Sequence, residues 1–162
     1  MTKTLYLLRH AKSSWKDISL SDFDRPLNKR GKHDAPFMAE KMRAKGIRPQ
    51  LILSSPAKRA KKTAKTFSDI LEVELHLDKK LYEGNISEML EIIEHLFEHH
   101  DEVMIVAHNP ELTMINDILS NKEIFNIPTT GIVAIVFNHL PTQKSKGRQL
   151  FFEYPKKFGE KK

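Results

Sequence analysis

Short apolar runs alternate along the chain with longer amphipathic stretches, and three of the runs end in similar polar residues. Leu5-Tyr6-Leu7-Leu8 reads as a buried strand closed by Arg9-His10. Leu51-Ile52-Leu53 runs into Ser54-Ser55-Pro56 with Arg59 one turn later, and Val103-Met104-Ile105-Val106-Ala107 runs into His108-Asn109-Pro110. The last run is apolar at every position, as a central parallel strand requires. Between the runs the period becomes helical. Ala35, Met38, Ala39 and Met42 share a face before Gly46, with Pro36 leaving the helix start open. Ala60, Ala64, Phe67 and Leu71 share another, for which Ser55 is the candidate N-cap and Pro56 the first helical position. Ile86, Met89, Leu90, Ile93, Leu96 and Phe97 form a further stripe. Asn109 and Pro110 open a helix with Leu112, Ile115 and Leu119 inward. Leu75 to Leu77 is a candidate edge strand. Ile132 to Phe137 and Gln149 to Tyr154 are expected to pair antiparallel.

This pattern predicts an α/β fold. It is a three-layer sandwich, with a mostly parallel central sheet, helices on both faces and an antiparallel C-terminal edge. No repeat, low-complexity block or linker divides the chain, so one domain is expected over 1–154, followed by a basic tail over 155–162. Ligands of open α/β sheets bind beyond the carboxyl ends of the strands. Arg9, His10, Arg59 and His108 fall at those ends.

Composition narrows the choice only slightly. The 27 basic and 21 acidic residues give a net charge of +6, which admits an anionic partner. Much of that excess is in dispersed lysines and the terminal lysines, so charge alone selects nothing. With no cysteine there are no disulfides, no cysteine–zinc sites and no thiol nucleophile, which fits the cytoplasm. No apolar run approaches the ~20 residues of a membrane span, and Met1-Thr2-Lys3-Thr4 leads straight into the first strand, so no signal peptide is expected.

The strand-end residues suit a phosphoryl group. Arg9 and Arg59 offer planar forks, and helix N-termini near Ser55 and Asn109 add backbone N–H groups. Nearby positive charge disfavours the imidazolium, so a histidine there is neutral and nucleophilic near pH 7. One histidine can attack phosphorus in line to form a phosphoramidate, while the other donates to the same oxygens. No Gly-rich phosphate loop, Asp-rich metal cluster or cysteine competes for the role, so neither metal nor cofactor is called for.

Leu8-Arg9-His10-Ala11, Ser54-Ser55-Pro56 with Arg59 and Thr63-Ala64, and Ala107-His108-Asn109-Pro110 occur in that order along the chain. Together they resemble the signatures of the histidine phosphatase (phosphoglycerate-mutase-like) superfamily. The short length and Asp24-Arg25-Pro26-Leu27 through Arg30-Gly31 resemble its compact SixA-type phosphohistidine phosphatases. The resemblance implies that His10 becomes phosphorylated, that Arg9 and Arg59 clamp the phosphoryl group, and that His108 completes the pocket. Water would then hydrolyse the intermediate without a metal. It also implies a phosphohistidine protein or a small phosphomonoester as substrate. No nucleic acid or membrane partner is expected, and the sequence leaves the oligomeric state open, with a monomer favoured. Ala11 stands where the family usually has glycine, which is tolerable if the backbone there is not at positive φ. Glu83 in Leu81-Tyr82-Glu83-Gly84 is the candidate general acid, its alternative being a solvated loop carboxylate. That acid is often missing in SixA-like members, since an imidazole departs more readily than an alkoxide.

The loop Ala11 to Asp24 carries further candidates. Ser13 and Arg25 are assigned to substrate binding, although ion pairing of Arg25 with the Asp22/Asp24 loop weighs more. Trp15 either belongs to a binding loop or pins the loop to the body. Two competing functions stand beside the phosphatase. Lys58, Arg59, Lys61, Lys62 and Lys65 would suit a non-catalytic nucleic-acid binder, which leaves His10 and His108 unexplained. His95-Leu96-Phe97-Glu98-His99 matches an inverted zinc-protease pattern, but at about 100° per residue both histidines fall opposite the apolar stripe. His33, His76 and His139 have no arginine beside them in the pattern and read as surface residues.

Overall fold

The computed structural model describes residues 2–159. Six strands form one sheet: β1 (Lys3–Arg9), β2 (Leu51–Ser54), β3 (Leu75–Leu77), β4 (Glu102–Ala107), β5 (Ile132–Phe137) and β6 (Arg148–Glu153). Their spatial order is β3-β2-β4-β1-β5-β6. The first four are mutually parallel, while β5 and β6 run antiparallel at one edge, as the apolar pattern predicted.

Strand alternation divides the core into two layers. Leu5 and Leu7 of β1 face one side, with Val103 and Ile105 of β4, and pack under α4 (Ile86–Leu96) and α5 (Glu111–Leu119). Tyr6, Leu8, Met104 and Val106 face the other side, under α1 (Lys29–Ala44) and α2 (Lys58–Leu71). Burial of the anticipated α2 stripe is complete or nearly so: Ala60, Ala64 and Phe67 are inaccessible, and Leu71 is almost so. Each layer is dry enough for the helices to be held by their apolar faces.

Several boundaries differ from the sequence reading for local reasons. α1 starts at Lys29 because the Asn28 carboxamide oxygen accepts the Gly31 N–H at 2.8 Å. Pro36 therefore sits inside the helix and forfeits one intrahelical bond. Ser55 and Asn109 are not the N-cap residues. The Ser55 hydroxyl oxygen accepts the Ala57 N–H, and α2 begins only at Lys58, with Ala57 at its N-cap. Pro110 is the N-cap residue of α5, while Asn109 Oδ1 reaches forward to Thr113. The stretch read as a loop before α4 contains a one-turn helix, α3 (Lys80–Glu83).

The expected tail also differs. Pro155 is buried and Pro155–Phe158 form a 3₁₀ turn, with Phe158 edge-on to Phe37 of α1 at 6.1 Å between ring centroids. The rest of that tail, 160–162, lies outside the described residues.

Candidate active site

Register brings the strand tips level. Arg9 pairs with Ala107 and Ser54 with Val106, so His10, Ser55 and His108 follow one residue beyond the ends of β1, β2 and β4. The backbone keeps this alignment past the strands: His10 N–H donates to Ala107 and Ser55 N–H to Val106. The imidazoles of His10 and His108 lie 5.1 Å apart between centroids. Arg9, His10, Arg59 and His108 line one cleft of about 570 Å³, with Ser13 and Arg25 on its wall. Separate segments thus deliver all four central residues to a single place.

His10 is set in one tautomer. Its Nδ1 lies 2.7 Å from the Ala11 carbonyl oxygen, which can only accept, so Nδ1 carries the proton. In the neutral ring the lone pair is then on Nε2. Burial lowers its pKa from the ordinary 6.5 to about 3, and the charges of His108, Arg59 and Arg9 act in the same direction, outweighing the opposing Ala11 bond. His108 is lowered to about 4, first by burial and then by Arg59. Its Nε2 meets Ser55 Oγ at 2.8 Å, while Nδ1 is buried with no protein partner.

The arginines are held from behind. Arg9 donates through Nη1 to the Ile127 carbonyl at 3.0 Å. Arg59 donates to the Asp22 carbonyl at 2.7 Å and to Asp22 Oδ2 at 3.0 Å. The Nε groups of both arginines are buried without a partner, and each residue lines the cleft. Buried orphan donors call for an acceptor, and an oxyanion in the cleft supplies several.

Asp22 is the residue that sequence reading undervalued. Besides Arg59 it accepts from Arg25 at 3.2 Å and from the Tyr82 hydroxyl at 2.8 Å. Burial would raise its pKa, but the bonds from Tyr82, Arg59 and Arg25 prevail and hold it at about 2. The i,i+3 spacing of Asp22 and Arg25 signalled one of these pairs; nothing local signalled the other two. Arg25 also donates to Ser13 Oγ at 2.6 Å and stacks over the Trp15 ring at 3.6 Å. Trp15 is 72% exposed, so it covers Arg25 at the cleft mouth and does not anchor the loop in the core.

Glu83 is exposed and does not line the cleft. On the single turn of α3, consecutive residues point about 100° apart: Leu81 enters the core, Tyr82 turns toward Asp22 and His108, and Glu83 faces away. The Tyr82 ring stands edge-on to His108 at 5.5 Å and to Phe23 at 5.1 Å. Ala11 meets the condition set for it: positive φ among described non-glycine residues occurs only at Glu72 and Thr130. Its N–H donates to Thr63 Oγ1 at 2.9 Å, tying the loop after β1 to α2.

His95, Glu98 and His99 do gather, their ligand atoms within 4.8 Å of one another. They lie exposed at the far end of α4 and none lines the cleft, so the zinc-hydrolase alternative has no substrate-facing ligand.

The family model for the histidine phosphatase superfamily (branch 1) matches residues 5–92, a span that includes Arg9, His10 and Arg59. The chain belongs to that superfamily. An uncharacterized chloroplastic protein of Arabidopsis thaliana is 38% identical over 120 residues, covering 67% of this chain and 55% of the relative. This superfamily member thus spans about half the length of the curated relative it matches. Among solved structures, one from Agrobacterium tumefaciens assigned as the phosphohistidine phosphatase SixA is 26% identical. It has a TM-score of 0.79, with 94% of this chain and 98% of that chain covered. The protein histidine phosphatase SixA complexed with tungstate has a TM-score of 0.83 at 19% identity, covering 96% and 99% of the two chains. Those likenesses agree with the three-layer α/β architecture. No helix among the described residues is long and apolar enough to cross a membrane.

Proposed function

We propose that this protein is a metal-independent phosphatase that hydrolyses phosphohistidine on a protein through a phosphohistidine of its own at His10. The observation that carries the reading is the state of that ring: buried, neutral, with Nδ1 bonded to Ala11 and Nε2 left as the nucleophile between two arginines. The Nε2 lone pair attacks phosphorus, an N–P bond forms, and the substrate's P–N bond breaks with its electron pair leaving on the departing imidazole. A water oxygen then attacks the phosphorus carried by His10; an O–P bond forms as the N–P bond breaks, the electron pair returns to Nε2, and the water protons leave with the released phosphate. Arg9 and Arg59 hold the equatorial oxygens, where charge must be stabilised in phosphoryl transfer. In this mechanism the Ser55 hydroxyl, 2.8 Å from His108 Nε2, donates to that nitrogen, so that His108 Nδ1–H donates to the same oxygens. Ser13 and Arg25 border the path by which substrate enters.

The choice of phosphohistidine over an alkyl phosphate rests on the leaving group. An alkoxide needs a proton as it departs, whereas an imidazole needs it less. Among the described residues Asp22 is the carboxylate bonded to the cleft arginines, and it is ionised at any pH near neutrality. Glu83 faces solvent. The tungstate bound by a SixA of the same fold is a tetrahedral oxyanion like phosphate, which supports an oxyanion site here.

The test is a brief incubation with a ³²P-phosphohistidine peptide, followed by quenching and mapping of acid-labile, base-stable label. Label on His10, insensitivity to chelators, and a loss of turnover on the order of a thousandfold in His10→Ala are expected. Wild-type turnover in His10→Ala overturns the assignment.

A further inference from the structure

α2 breaks two rules of helix design on one face. Lys58, Lys61, Lys62 and Lys65 recur at i, i+3, i+4 and i+7, so like charges stand beside each other along the surface. Two of them, Lys58 and Lys61, fall in the first turn, where the positive end of the helix dipole disfavours cations. Only Lys65 has an acidic neighbour in compensation, Asp69 at 2.7 Å; Lys58, Lys61 and Lys62 have no ion pair among the described residues. Local rules broken without compensation mark surfaces kept for function.

The lysines do not stand over open solvent. They rim a groove of about 770 Å³ floored by Pro26, Leu27, Leu75 and Leu77, and Lys32 of α1 closes the opposite rim. Leu77 lies on β3, the edge strand of the sheet, and is 44% exposed. The groove is continuous in sequence with the active site at two points: Pro26 follows Arg25, and Lys58 precedes Arg59. No acidic residue lines it. A wholly basic rim around an apolar floor is complementary to a segment that alternates carboxylates with aliphatic side chains. Nucleic acid is matched less well, because the floor carries no aromatic ring on which a base can stack.

We propose that this groove between α2 and β3 docks an acidic, leucine-bearing segment of the phosphoprotein whose phosphohistidine enters the neighbouring cleft. The proposal rests on the phosphatase reading above for the identity of the partner, but its binding step can be measured without catalysis. Two phosphohistidine peptides serve as probes, one flanked by a Glu/Asp/Leu segment and one by a Gln/Asn/Ser segment of equal length. The unphosphorylated peptides, carrying a fluorophore, report binding by anisotropy. Wild type is expected to bind the acidic peptide more tightly, with salt weakening the difference. Lys61→Glu/Lys62→Glu is expected to lose that preference and raise KM for the acidic phosphopeptide on the order of tenfold, while turnover of a small aryl phosphate stays unchanged.

Leu77→Asp provides a second variant, removing the floor without altering the lysines, and should weaken the same peptide. Equal binding of both peptides by wild type, or an undiminished preference in Lys61→Glu/Lys62→Glu, overturns the docking site. So does a labelled 20-nucleotide single strand that binds this face more tightly than the acidic peptide and is lost in the same variant. If wild type binds the acidic peptide selectively yet hydrolyses neither the phosphopeptide nor the aryl phosphate, the phosphatase reading fails and the groove survives it.

Discussion

Asp22 Oδ2 stands 3.0 Å from Arg59 Nη2, so a carboxylate grips one of the guanidinium groups that line the cleft. The contact joins residues 37 apart in sequence, and the Asp22 carbonyl adds a second bond to the same side chain. Asp22 therefore opposes an incoming dianion by its charge while it fixes the orientation of Arg59. These two effects are separable by measurement.

Asp22→Asn keeps the shape and removes the charge. With its charge-assisted bonds weakened, Arg59 loses orientation in the transition state, and kcat is expected to fall on the order of tenfold. KM for a small phosphoester should not rise, because a repelling charge behind the cleft arginines is gone. A fall in thermal stability with both kinetic constants unchanged would mean that Asp22 only staples the loop.

Tyr82 and Glu83 are adjacent but face differently, and their variants should differ accordingly. Glu83→Gln is expected to leave steady-state kinetics within about twofold, as for an exposed side chain away from the chemistry. Tyr82→Phe removes the hydroxyl bonded to Asp22 and should lower kcat/KM several-fold. A large kcat loss in Glu83→Gln alone, confined to substrates with poor leaving groups, would restore Glu83 as the general acid.

Stability should depend on pH through the two buried histidines. Their folded pKa values of about 3 and about 4 lie below the ordinary 6.5, chiefly because burial disfavours the charged ring. Between 6.5 and these values the unfolded chain binds protons that the native state refuses, so stability rises with pH across that window. Their full contribution is present above about 6.5 and declines as pH falls towards 3. Thermal melts at stepped pH should show this decline, and it should shrink in His108→Asn. The ratio kcat/KM, which reports the free enzyme, should stay flat from pH 7 to 5 once ionisation of the substrate is allowed for; an enzyme midpoint near 6.5 would show that an active-site imidazole titrates as if exposed.

Gly31 is required by close approach. A Cβ at this position would stand 2.1 Å from the Lys12 carbonyl oxygen, and that backbone is itself tied to Asn28 by its N–H bond at 3.0 Å. Gly31→Ala should cost about 1–3 kcal/mol in urea denaturation. It should also displace the Lys12–Trp15 loop, raising KM more than it lowers kcat. Unchanged stability would show that the loop after β1 yields freely.

Local pattern was sufficient for the layers of this fold, because side-chain direction on a strand or helix follows from period alone. The alternation Leu5-Tyr6-Leu7-Leu8 determined two apolar faces, and the polar residues following three apolar runs determined where a site would form. The tertiary structure decided which neighbours complete that site. Tyr82 reaches Asp22 across 60 residues, and the direction of Tyr82 depends on a single helical turn that the chain forms only in place. The His10 tautomer likewise depended on where the Ala11 carbonyl came to lie. The lysines of α2 were legible as a stripe, but not the apolar floor beneath them, which comes from β3 and the loop before α1. Period is a property of neighbours in sequence; partnership across loops is set by the path of the folded chain.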